Sequence, residues 1–183
     1  RDMLIRQIQS STDKVFDVAS ISTEFSQDLR FSHSVIALFF AARLHSATGG
    51  GSDNAEWSNY TTAVGYTGAD PLSEASLVYD NTPRWQHMPS DYSSLVSPWY
   101  FSRSIPEETG YHVFSYSLDM WNLDPMGSTN YSKLNNVTIQ ALPSAAAVAS
   151  SLTPTFATYK FVCRAMNHNI ARMSGGSMGM PIL

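Results

Sequence analysis

The strongest constraint on this chain is a period of two. In "TEFSQDLRF", Phe25, Leu29 and Phe31 fall on one face, while Glu24, Ser26, Asp28 and Arg30 fall on the other. That alternation belongs to a half-exposed strand. It returns in "YHVFSYSLDM" (Phe114, Tyr116 and Leu118 on one face), in "NVTIQAL" (Val137, Ile139, Ala141) and in "TYKFVCRAMN" (Tyr159, Phe161, Cys163, Ala165). "MLIRQIQ", "ASLVYD" and "NIARMS" are shorter candidates. The run "SVIALFFAARL" (34–44) is apolar on both faces, and its β-branched and aromatic content favours a strand buried from two sides. Phe39→Ala is expected to cost roughly 3–5 kcal/mol if that site is close-packed. These segments make eight strands.

Gly, Asn and Pro fill the connections, among them "SATGGGSDN", "TGADPLS", "IPEETG" and "NLDPMGSTN". In the last, Asp124-Pro125 is expected to open an ordered turn through Gly127 to Asn130. Only "PSAAAVASSL" (143–152) reads as helical. Eight short strands with long loops and little helix point to an all-β, antiparallel two-sheet sandwich. No composition shift or repeat divides residues 1–183, so a single domain is expected.

Composition narrows the function. Charged residues are 14% of the 183 and aromatics 12%, a profile that suits surfaces meant to be covered. The net charge of −4, without a local cluster of Lys or Arg, gives nucleic acid no footing. Cys163 is the single cysteine, so no internal disulfide can form. No apolar run approaches the ~18–20 residues of a membrane span, so direct membrane insertion is not expected. The first residues lack a signal-peptide apolar region, and the start at Arg1 suggests a piece of a longer polypeptide.

Candidate chemistry is sparse. Gly175-Gly176-Ser177-Met178-Gly179 matches G-x-S-x-G, but a nucleophile elbow needs a helix after the serine, and only four residues follow the motif. His33, His45, His87, His112 and His168 never fall at metal-ligand spacing, and Cys163 with His168 lacks further ligands. Glu107-Glu108 reads as a solvated loop. The N-x-[ST] triplets at Asn59, Asn130 and Asn136 are what a chain rich in Asn, Ser and Thr produces by chance. No catalytic residue, cofactor or metal is expected. The loop aromatics carry more: Trp57, Trp85 and Trp99 lie in long connections, which either fold over the core or meet a partner.

At "LRFSHSVIALFFAARL", "WSNYTTA", "LVYDNTPRW", "MPSDYSSLVSPWYF", "DPMGSTNYSKLNNVT" and "NHNIARMSGGSMGMPIL", the chain resembles the major capsid protein of iridoviruses. It resembles capsid proteins of other nucleocytoplasmic large DNA viruses more distantly. The matches run in order from about residue 3 to 183; Ser34-Val35-Ile36 departs from the family's usual proline and lysine. The resemblance implies an eight-stranded antiparallel jelly-roll sandwich, the second of two in a double jelly-roll subunit, the first being absent. It implies homotrimers of pseudo-hexagonal outline that tile an icosahedral virion shell. The partners would be other copies, the N-terminal jelly roll and minor capsid proteins, with assembly in the host cytoplasm. Interface candidates are then Trp57, Trp85 and Trp99, with Met178, Met180, Ile182 and Leu183 in a tail acting as a tie. A carbohydrate-binding, lectin-like jelly roll is the alternative, since lectins share this sandwich.

Overall fold

The strands pair from the outside inward. β1 (Asp2–Ser10) pairs with β10 (Thr158–Ser174), and β3 (Phe25–Asp28) pairs with β9 (Val137–Pro143). Inside them β4 (Ser34–His45) pairs with β7 (His112–Ser115), and β5 (Leu72–Tyr79) with β6 (Thr82–Pro89). Each antiparallel pair encloses the next, so the chain is one long hairpin rolled into two sheets. Their orders are β1-β10-β4-β7 and β3-β9-β5-β6, a jelly roll. Three short strands extend the first sheet: β2 (Lys14–Asp17) and β11 (Ser177–Gly179) on β10, and β8 (Thr129–Asn130) on β4. The structure, a computed structural model, describes residues 1–18, 23–45, 57–151 and 158–181.

Among the described residues eleven strands therefore stand where eight were expected, and the eight of the jelly roll are a different set. "NIARMS" is the end of the 17-residue β10, which runs through Asn167-His168-Asn169 without turning. Those asparagines look like a break in sequence, yet both are buried with partners. Asn167 Oδ1 accepts from Gln9 Nε2 at 3.1 Å, and Asn169 Nδ2 donates to Gln7 Oε1 at 2.9 Å. β6 has no apolar alternation because it is an edge strand, mostly exposed, where Pro83 and Pro89 are tolerated. Asp80 and Asn81 turn the chain into it with positive φ at both positions, as a two-residue hairpin loop requires.

The main core lies between the sheets, with Leu38, Phe40, Leu77, Ile139, Tyr159 and Phe161 buried at its centre. β4 also serves a second core on the outer face of its sheet. A bulge there sets Ile36 opposite no partner between Met166↔Ala37 and Asn167↔Val35. The bulge shifts the alternation, so Val35, Leu38, Phe40 and Ala42 point inward, while Ile36 and Ala37 join Val113, Met120 and Met166 outside. Phe39 belongs to this outer cluster and is half-buried, not close-packed, because only a loop layer covers it. That layer consists of helix α1 (Ser97–Ser102) and residues 116–128, joined where Met120 N donates to Phe101 O at 3.2 Å. Helix α2 (Ala145–Ser151) occupies the alanine-rich segment, as expected.

Connection 124–130 is ordered by its neighbours. Leu118 N donates to Met126 O at 3.2 Å, and Gly127 (φ 126°) lies against the Tyr116 carbonyl. Asp124 does not open it with its own side chain; Asn122 Oδ1 accepts from the Asp124 amide at 3.2 Å.

Candidate interaction surfaces

Alternating up and down strands place residues 57–71, 90–111 and 144–151 at one end of the sandwich. Two of them are locked together there. The Tyr111 hydroxyl donates to Ser58 O at 2.5 Å, and the Tyr60 and Tyr111 rings meet edge-on at 5.1 Å. A Cβ on Gly110 would sit 2.1 Å from Tyr60 O, so only glycine permits this approach. Between them opens a groove of about 660 Å³. Its floor is the outer face of the first sheet, Phe39, Ala41 and Val162; Tyr60, Tyr66 and Tyr111 form walls, and Glu107 and Glu108 form the lip.

The two sheets present opposite characters outward. The second sheet shows Ser26, Asp28, Thr138 and Gln140, and among the described residues none of its strands exposes a large apolar side chain. The loop layer over the first sheet exposes Trp99, Tyr100, Leu118, Trp121 and Leu123, with Tyr100 and Leu118 each 71% accessible. Large apolar side chains exposed in such number are uncommon on a free monomer.

The aromatic candidates separate on this map. Trp99 lies on α1 and is 65% exposed, within the apolar layer. Trp57 is 64% exposed at the loop end, where the Arg43 guanidinium lies 4.7 Å above its ring. Trp85 lies in no connection: it sits on β6, half-buried against the main core, its ring 5.3 Å from Phe114. Trp121 belongs with the exposed set although the sequence did not single it out; its indole N–H donates to Ser102 O at 3.0 Å.

The tail is a hairpin. Gly175 and Gly176, both at positive φ, close a two-residue loop that pairs Ser174 with Ser177, so a strand follows the serine where an elbow needs a helix. The Ser177 hydroxyl is exposed and donates to Ser174 O. Met178 and Met180 are exposed on it, and Ile182 and Leu183 lie outside the described residues.

One constellation has the composition of a catalytic triad and was invisible in sequence, because its members come from three separate segments. Ser93 Oγ lies 2.9 Å from His112 Nδ1, and His112 Nε2 lies 3.2 Å from Asp70 Oδ1. Ser93 and His112 are both buried, and the serine is on the nitrogen that a triad gives to its carboxylate. The imidazole stacks on Phe40 at 5.1 Å and ties the one-turn π-helix Tyr92–Val96 to the start of β5. It is a brace. Cys163 is wholly buried, and that burial pushes its thiol up to about 12, which removes thiolate chemistry. Among the described residues no group of His, Cys, Asp and Glu is arranged to hold a metal.

The comparisons agree with this architecture. The family model for the large eukaryotic DNA virus major capsid protein matches residues 1–179. The major capsid protein of Invertebrate iridescent virus 3 is 43% identical over 201 residues, and that of Lymphocystis disease virus 1 is 40% identical over 205. Each alignment takes in 100% of this chain but only 42% and 43% of the relative, so the chain spans about two-fifths of their length. Among solved structures, the PBCV-1 virus capsid matches over 100% of this chain and 52% of its own, with a TM-score of 0.76 at 18% identity. The Faustovirus major capsid protein gives 0.70 at 13%, over 94% of this chain and 34% of its own. Those two likenesses show the fold, and the sequence relatives show the lineage. The chain belongs to the major capsid protein family of large eukaryotic DNA viruses, a family of structural proteins of the virion capsid rather than enzymes.

Proposed function

We propose that this chain is the second of two jelly rolls in a major capsid subunit, and that it works by geometry alone. Three such subunits form a pseudo-hexagonal capsomer, and capsomers tile an icosahedral shell assembled in the host cytoplasm. The observation that carries the reading is the two-faced exterior. The polar second sheet suits solvent, whereas the apolar layer bearing Trp99, Tyr100, Leu118 and Trp121 needs a cover. The other jelly roll of the polypeptide, neighbouring copies and minor capsid proteins supply that cover. The relatives' extra length leaves room for a second sandwich of similar size. Family membership favours this role over a carbohydrate-binding module.

Light scattering on residues 1–183 and on the full-length polypeptide tests the proposal. Alone, the domain is expected to self-associate and bind an apolar dye; the full-length polypeptide is expected to run at three times its chain mass. A monodisperse monomer of 1–183 at high concentration, without dye binding, contradicts it.

A further inference from the structure

The groove at the loop end has a charge pattern of its own. Glu107 and Glu108 are exposed at its lip, and neither has an ion pair among the described residues. The cation inside it, Arg164, is already held: its Nη1 lies 3.2 Å from Asp13 Oδ1, and Lys160 Nζ lies 3.1 Å from the other oxygen of that carboxylate. The groove therefore offers two unmatched negative charges above three phenol rings and an apolar floor. Tyr111 feels this arrangement: burial first, then the nearby Glu108 charge, raises its phenol above the usual range. At the same end the chain sets its own Arg43 over Trp57, which shows the contact that a guanidinium makes with such rings.

We propose that this groove is a docking site for a peptide segment of a partner protein that presents an arginine or lysine flanked by apolar side chains. The cation pairs with Glu107 and Glu108 and lies on the faces of Tyr60 and Tyr111, while its neighbours cover Phe39 and Val162. A second copy of this chain does not fit the role. Of its exposed cations without ion pairs, Arg1, Arg30, Arg84 and Lys133 lie at or near the opposite end of the sandwich, and Lys14, the one toward the groove end, is held by the Ser26 carbonyl, to which its ammonium donates. Copies that tile one layer with the same end outward cannot bring opposite ends together. This last step rests on the capsid reading.

The test uses the full-length polypeptide and two blocked peptides, Gly-Leu-Arg-Leu-Gly and Gly-Leu-Glu-Leu-Gly, with binding followed by NMR of the tyrosine ring protons. The arginine peptide is expected to shift the Tyr60 and Tyr111 signals and to bind at least tenfold more tightly than the glutamate peptide. Raised salt should weaken it. Glu107→Gln with Glu108→Gln should abolish the preference, and Glu107→Lys with Glu108→Lys should reverse it. Equal binding of both peptides, no binding of either, or a preference that survives the Gln pair overturns the proposal. Microscopy of the particles separates the two readings. Normal shells without peptide discrimination overturn the groove alone, a second copy seated in the groove overturns the choice of partner, and a polypeptide that never forms shells overturns the capsid reading beneath it.

Discussion

Two residues show how local chemistry fixes this molecule. Gly127 has φ 126°, and a Cβ there would lie 2.6 Å from the Tyr116 carbonyl oxygen. Gly127→Val therefore adds backbone strain of about 1–3 kcal/mol to a steric clash. A thermal melt should show the loss, and an unchanged midpoint would refute the packing described for 116–128. Asp13 acts through charge. Partial burial alone would raise its carboxyl, but hydrogen bonds from Lys160 and Arg164 outweigh that and hold it below the usual carboxylate value. A carboxyl lowered on folding contributes stability that is present above its unfolded value, about 3.9, and is lost as pH falls through the folded one. Melting midpoints should thus drop below about pH 4, and Asp13→Asn should flatten that acid slope. Equal slopes in both proteins would mean that the pair contributes nothing.

Among the elements, β4 is the one on which both cores depend. Leu38→Ala removes a fully buried side chain between the sheets and should cost about 2–5 kcal/mol in denaturant unfolding. Phe39→Ala, on the half-buried outer face, should cost clearly less; the reverse order would contradict the bulge at Ile36. Seven of the eight jelly-roll strands were legible in sequence because burial on one or both faces writes apolar residues at fixed intervals. β6 was not, since an edge strand with one exposed face needs no such interval; Asp80-Asn81 was its only local signal. β10 was read as two strands because Asn167 and Asn169 look like turn residues until Gln7 and Gln9 of β1 are brought beside them. The surfaces were half legible. Exposed Trp57 and Trp99 fit their place in connections, Trp85 does not, and the partnership of Ser93, His112 and Asp70 exists only after folding.

For the whole molecule, the division of labour between sheets is the main result. One sheet meets solvent with hydroxyl, amide and carboxyl groups, and the other is roofed by a loop layer whose apolar side chains face outward. A jelly roll closes its own core through nested pairing, and large apolar side chains left exposed outside that core are uncommon on a free monomer. We propose that this sandwich is one of two in a capsid subunit and is covered on its roofed side. Cryo-electron microscopy of the full-length polypeptide tests that most directly. The account predicts particles built of trimers with six jelly rolls each, in which Trp99, Tyr100, Leu118 and Trp121 are buried against a neighbouring sandwich. Particles in which those four side chains remain in solvent, or a polypeptide that stays monomeric, would contradict it.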